Sequence, residues 1–202
     1  GMYAIQRNLY KNVYGDKLIF EEINHDLKLT FKYAWRTSEK YGFVKTSWLK
    51  NEDDVSGKII VLDGFQNILP YGVTSLTQGT FSVLLDAYKR NELDKSSGLS
   101  FFTLSSTLTD LAEPSESLKA TTVWQAGLEN EQYLLSSQQI ENFRHGCELQ
   151  EEIDLRGVRG AFLVNAGFEF TAFQEKEWNI VAEVNQDNTR VVALINALTR
   201  NK

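Results

Sequence analysis

Glycoside chemistry needs two carboxyl groups held at a set separation across the scissile bond. The acidic residues on strands or turns that could supply them are Asp63, Glu151, Glu152, Asp154, Glu169 and Glu183. Asp63 is the best placed, at a strand end ahead of Gly64. The ordinary role of an aspartate there is to bond the turn backbone. Asn67 and Tyr71 can present polar groups at the same rim, although both types also form turns. Trp124 and Trp178 are candidate platforms for a sugar face. Their neighbours Gln125 and Asn179 point to the opposite side of a strand and cannot assist them directly, so core packing is the better reading for both rings. Arg159 ends Arg156-Gly157-Val158-Arg159, just after Glu151, Glu152 and Asp154, and reads mainly as part of a salt-bridged surface. Asp63, Asn67, Tyr71, Trp124 and Arg159 form the candidate carbohydrate-binding set. No catalytic residue is assigned.

Other chemistries lack their residues. A mutarotase needs an acid and a base around the ring oxygen, typically His with Glu. The two histidines are His25, in a turn between Asn24 and Asp26, and His145, at a helix end where the dipole favours it without function. No His, Cys and Asp cluster has metal-ligand spacing, no glycine-rich phosphate loop occurs, and Ser105-Ser106 and Ser136-Ser137 lack a nucleophile motif. The reading therefore includes no metal and no cofactor. A net charge of -6 disfavours nucleic acid. No apolar run reaches the length of a membrane span, so no membrane partner is expected. Cys147 is the single cysteine, which fits a reducing, cytoplasmic setting. Gly1 before Met2 reads as an expression scar, so secretion stays open.

The elements that must position these residues read as β structure. In 202 residues, 42% hydrophobic and 24% charged, there is room for one large domain. Met2 to Gly15 reads as loop or edge strand, and Leu18 to Ile23 as a short strand. Leu27, Leu29, Phe31, Tyr33 and Trp35 alternate with polar or small residues, the cleanest period-two pattern in the chain, and Phe43 to Leu49 completes a hairpin. Ile59-Ile60-Val61-Leu62 reads as a strand buried on both faces, with a turn at Asp63-Gly64 and another at Pro70. Leu76, Phe81, Leu84, Leu85 and Tyr88 fit one helix capped by Thr74 or Ser75. Strands follow at Leu99 to Leu108, with Pro114 in the next loop. Further strands at Leu118 to Leu128 and Glu131 to Ser136 could pair as a hairpin near Asn130. Ser137 opens a short helix that Gly146 stops. Strands at Gln150 to Leu155, Ala161 to Thr171 and Trp178 to Val184 precede a last helix capped by Asp187 or Asn188. Strands of even size with short polar turns predict a mainly β, large antiparallel sandwich in which helices serve as connectors.

Four segments together resemble the N-terminal domain of the cellobiose-phosphorylase type (glycosyltransferase family 36-like) of carbohydrate-active enzymes. They are Leu62 to Gly72 (LDGFQNILPYG), Leu135 to Gly146 (LSSQQIENFRHG), Glu152 to Phe162 (EIDLRGVRGAF) and Trp178 to Asp187 (WNIVAEVNQD). None is a catalytic signature. The resemblance implies a β-supersandwich related to the galactose mutarotase fold over residues 2–186, with helix 187–202 starting a linker to an (α/α)6 catalytic domain. It implies a non-catalytic role: closing over the substrate cleft, packing on the partner domain, or mediating a homodimer. A stand-alone module that binds carbohydrate or protein is the alternative, and a stand-alone sugar epimerase ranks third.

Overall fold

The computed structural model describes residues 3–15, 17–105 and 119–200. In chain order the elements are β1 (Ile5–Lys11), β2 (Leu18–Asn24), β3 (Leu29–Ser38), β4 (Gly42–Asn51), β5 (Gly57–Ile68), α1 (Ser75–Thr80), α2 (Ser82–Ala87), β6 (Lys89–Asp94), β7 (Leu99–Leu104), β8 (Lys119–Ala126), β9 (Gln132–Leu134), α3 (Ile140–Arg144), β10 (Asp154–Arg156), β11 (Gly160–Phe170), β12 (Glu175–Asp187) and α4 (Asn188–Arg200). The fold is mainly β, as expected, with a nine-stranded antiparallel sheet ordered β1-β2-β3-β4-β12-β8-β7-β6-β10 and a second sheet ordered β5-β11-β9. The helices are short, and α4 follows the last strand. The chain forms two compact units, Gly1–Val61 with Gln125–Asn130 and Ala166–Ala182, and Leu62–Trp124 with Glu131–Asn165 and Glu183–Lys202.

In the first unit, β1 to β4 form a meander whose fourth strand pairs with Glu175 to Ala182 of β12. One row of side chains crosses five strands: Leu9, Phe20, Tyr33, Ser47 and Trp178. Burial grows along the row, from Leu9 at 62% exposed to Trp178 at 1%. The Phe20 and Tyr33 rings stack at 4.8 Å, and Phe31 stacks on Trp178 at 6.1 Å. Trp178 is thus a core residue, as its alternation implied. Gly127 has φ +106°, and a Cβ there would stand 2.8 Å from the Glu177 carbonyl oxygen, so only glycine fits.

In the second unit the core is built from Leu99 and Phe102 of β7, Val123 of β8, Leu134 and Leu135 in and after β9, and Phe162 of β11, all inaccessible to solvent. Several expectations change here. Ile60 is 58% exposed, so the β5 run is not buried on both faces. Asp63-Gly64 makes no turn, because β5 continues to Ile68. Gly64 is required for another reason: a Cβ would fall 1.8 Å from the Phe162 carbonyl oxygen, where β11 backbone crosses against β5. The turn at Pro70 is present, with the Val73 N–H bonded to the Pro70 carbonyl at 3.1 Å and Gly72 at φ +82°. The single expected helix is two, α1 and α2, broken at Phe81 (φ −120°, ψ 30°). Strand β9 pairs with β11 rather than with β8, because each belongs to a different sheet. The strand expected over Gln150 to Leu155 shrinks to β10. Leu108 and Pro114 lie outside the described residues.

Candidate functional site

A cleft of about 410 Å³ opens in the second unit beside the end of β5. Asn67, the next-to-last residue of that strand, has φ +56°, in the left-handed region that asparagine tolerates better than other side chains. The Thr121 hydroxyl donates to the Leu69 carbonyl at 2.8 Å and holds the chain beyond it. The Pro70 turn then feeds α1, whose first N–H groups are capped by Thr74, its Oγ1 accepting from the Thr77 N–H at 3.0 Å. Ser75, Gln78 and Gly79 of α1 and Ser82 of α2 form one wall. Lys89 at the start of β6 and Arg159 ahead of β11 form the other.

An ionic network organises the basic wall. The Lys89 side chain is only 1% exposed, and its ammonium donates to Asp86 Oδ1 at 2.7 Å and to the Gln78 side-chain carbonyl. Gln78 Nε2 donates to Asp86 Oδ1 at 3.1 Å, and Arg159 Nε to Asp86 Oδ2 at 3.2 Å. Burial alone would push the Asp86 carboxyl up, but the donors on Lys89, Gln78 and Arg159 outweigh it and hold the group below its usual range. Asp86 is therefore an anion at neutral pH and a poor proton donor. The bond to Asp86 uses Arg159 Nε, and among the described residues nothing takes up its two Nη groups, on a side chain 58% exposed.

The structure brings two of the five candidate residues, Asn67 and Arg159, to this cleft. Tyr71 sits on the adjoining turn, 38% exposed, with the Lys119 ammonium 5.1 Å from its ring centroid. Asp63 lies mid-strand and half-buried rather than at a strand end, and Trp124 is half-buried on β8. Neither lines the cleft. Gln78, Asp86 and Lys89 escaped the sequence reading. Their only signal was the alternation Lys89, Asn91, Leu93, in which a buried face begins with a lysine.

Three of the other candidate carboxylates, Glu151, Glu152 and Asp154, are committed elsewhere. Glu151 pairs with Lys95 at 2.6 Å and Asp154 with Arg90 at 3.1 Å. Glu152, buried, accepts from the Leu135 and Ser136 N–H groups at 2.7 and 2.8 Å, from the Ser136 hydroxyl at 3.0 Å and from Gln139 Nε2 at 2.8 Å. The basic run is the salt-bridged surface expected of it, with Arg156 on Asp154 and Arg159 on Asp86. Among the described residues, no group of three or more His, Cys, Asp or Glu is placed to hold a metal ion. No helix among them is long and apolar enough to cross a membrane.

No family model matches the sequence, and no curated protein does. Among solved structures, a heparinase III gene product is similar at TM-score 0.45 and 8% identity, over 92% of this chain and 22% of its own. The heparan sulfate lyase HepC from Pedobacter heparinus is similar at TM-score 0.41 and 10% identity, over 90% of this chain and 22% of its own. This chain thus spans about a fifth of the length of either.

Proposed function

We propose that this chain is a non-catalytic β domain of a carbohydrate-active enzyme and that it holds a saccharide in the cleft between Asn67 and Arg159. The observation that supports this most is the composition of the cleft. The Asn67 amide, two hydroxyls (Ser75, Ser82) and the Arg159 Nη groups offer mixed donors and acceptors, as sugar hydroxyls require, beside apolar surface from Ile68 and Leu69. The volume lies within the range of small-ligand sites. The carboxylate at the cleft, Asp86, is tied to three donors, whereas glycoside cleavage needs two carboxyl groups acting together.

The resemblance to cellobiose-phosphorylase-type N-terminal domains agrees with this reading: three of its four segments, 62–72, 135–146 and 152–162, lie in the unit that holds the cleft. The C-terminal helix α4 has no buried side chain, and Val191, Leu194, Ile195 and Leu198 on its apolar stripe are half-buried. That suits a helix leading into a following (α/α)6 domain.

Calorimetric titration with neutral and acidic oligosaccharides tests the binding. A saccharide should bind wild type, and Arg159→Ala and Asn67→Ala should each weaken it by roughly tenfold, the loss of one or two hydrogen bonds. No heat with any saccharide overturns the proposal. The coding sequence beyond Lys202 tests the domain assignment: a helix-rich continuation with an acidic catalytic residue supports it, and a stop codon there favours a stand-alone binding module.

A further inference from the structure

The N-terminal stretch is unusual for a solvent-facing edge. Tyr3, Ile5, Leu9, Tyr10, Val13 and Tyr14 are all exposed, Val13 at 99% and Tyr14 at 91%. Such a concentration of exposed apolar side chains marks an interaction surface. Ile5, Leu9 and Tyr10 lie on β1, the outermost strand of the large sheet, with Tyr3 before it and Val13 and Tyr14 in the turn after it, and β1 has none of the proline or bulge devices that blunt edges.

Among the described residues, the backbone of β1 shows which groups are unspent. The His25 N–H bonds the Ala4 carbonyl, and the Asn12 N–H bonds the Lys17 carbonyl. With the register Ile5↔Asn24, the even-numbered residues therefore turn their N–H and C=O toward β2. Ile5, Arg7, Leu9 and Lys11 turn theirs outward. An outward row of this kind accepts another strand.

From this row we infer that β1 pairs antiparallel with β1 of a second copy of this chain, about a two-fold axis at Asn8. Charge selects that centre. A two-fold at Arg7 sets Arg7 against Arg7, and one at Leu9 sets Arg7 against Lys11; like charges directly opposite are destabilising. A two-fold at Asn8 sets Arg7 against Leu9 and Ile5 against Lys11. It uses all four outward residues of both copies, for about eight backbone hydrogen bonds. The Arg7 charge is already matched within its own chain by Glu22 at 2.7 Å. On the face that carries the odd-numbered side chains, Leu9 of the second copy extends the row of Phe20, Phe31 and Tyr33, which lines a cleft of about 390 Å³. The joint face covers apolar surface that each copy leaves open.

Sedimentation of the whole chain across micromolar concentrations tests this. Wild type should be a dimer. Leu9→Pro should be monomeric with unchanged circular dichroism, because the N–H it removes points away from β2. Leu9→Lys, which sets Lys against Arg7 twice per dimer, should raise the dissociation constant roughly tenfold or more and keeps the test valid if the proline variant misfolds. Asn8→Cys in a Cys147→Ser background should form an intermolecular disulfide on oxidation, since residues opposite one another in such a non-hydrogen-bonded pair stand about 4.5 Å apart. A monomeric wild type, or a dimer that survives both Leu9 substitutions, overturns the interface. A dimer broken by them in which Asn8→Cys does not cross-link overturns the register.

Discussion

Two carboxylates are clamped in different ways in the two units. Glu21 of the first unit accepts from Asn8 Nδ2 and the Tyr10 hydroxyl, each at 2.7 Å, and pairs with the Lys32 ammonium at 3.0 Å. Asn8, Glu21 and Lys32 lie directly opposite one another on β1, β2 and β3, so strand register alone assembles most of the clamp. Glu152 of the second unit is served by backbone N–H groups of Leu135 and Ser136 and by the Ser136 and Gln139 side chains. Among the described residues, no cation is among the donors that reach it. A carboxylate on a meander recruits partners by alternation; one in a loop recruits the loop. The first adds stability to a sheet that other contacts already define, whereas the second sets the path of the chain between β9 and α3.

The sharpest way to break this contrast is to remove the loop clamp. Glu152→Ala leaves two buried backbone N–H groups unpaired and should cost about 3–4 kcal/mol in urea unfolding. Glu152→Gln, which keeps an acceptor, should cost about half as much. A loss under about 1 kcal/mol for the alanine variant would show that the loop holds itself.

The sheet clamp should give a smaller effect that depends on pH. Hydrogen bonds from Asn8 and then Tyr10, with Lys32, lower the Glu21 carboxyl from 4.5 to about 2. Its stabilisation is fully present above pH 4.5 and is lost as pH falls towards 2. With solvent screening it is worth about 2 kcal/mol. Melting curves between these limits should show wild type losing this increment and Glu21→Gln losing none of it. Parallel curves would mean that Asn8 and Tyr10 bond the protonated acid equally well.

The smallest effect belongs to an exposed pair in the same sheet. Lys50 meets Glu52 at 2.7 Å, with side chains 41% and 38% exposed. Lys50→Met should shift unfolding by less than about 0.5 kcal/mol. A larger loss would remove the distinction between registered clamps and surface pairs.

The same contrast explains what was legible in the sequence. The alternation from Leu29 to Trp35 marked β3 but not its buried side: Thr30 and Ala34, between the large apolar residues, are the buried ones, and Trp35 is 38% exposed. The Asp187 cap was legible too, since its carboxylate accepts the Arg190 N–H at 2.9 Å. Asp63-Gly64 was misread because a glycine gives the same letter whether it supplies positive φ or yields space to a crossing backbone. Of the cleft, Asn67 and Arg159 were visible as polar residues near turns. Lys89 was not, because a lysine beside Arg90 looks solvated until Asp86 and Gln78, on a different element, are seen to enclose it.

Asp187 has one more consequence. It is both the last residue of β12 and the cap of α4, so no loop residue separates strand from helix. The azimuth of the helix is geared to the strand. One residue inserted after Asn188 would advance every later α4 side chain by about 100° around the axis. The stripe of Val191, Leu194, Ile195 and Leu198 would then face a different direction with no change in composition. Whatever that stripe meets is read through the phase of a single junction.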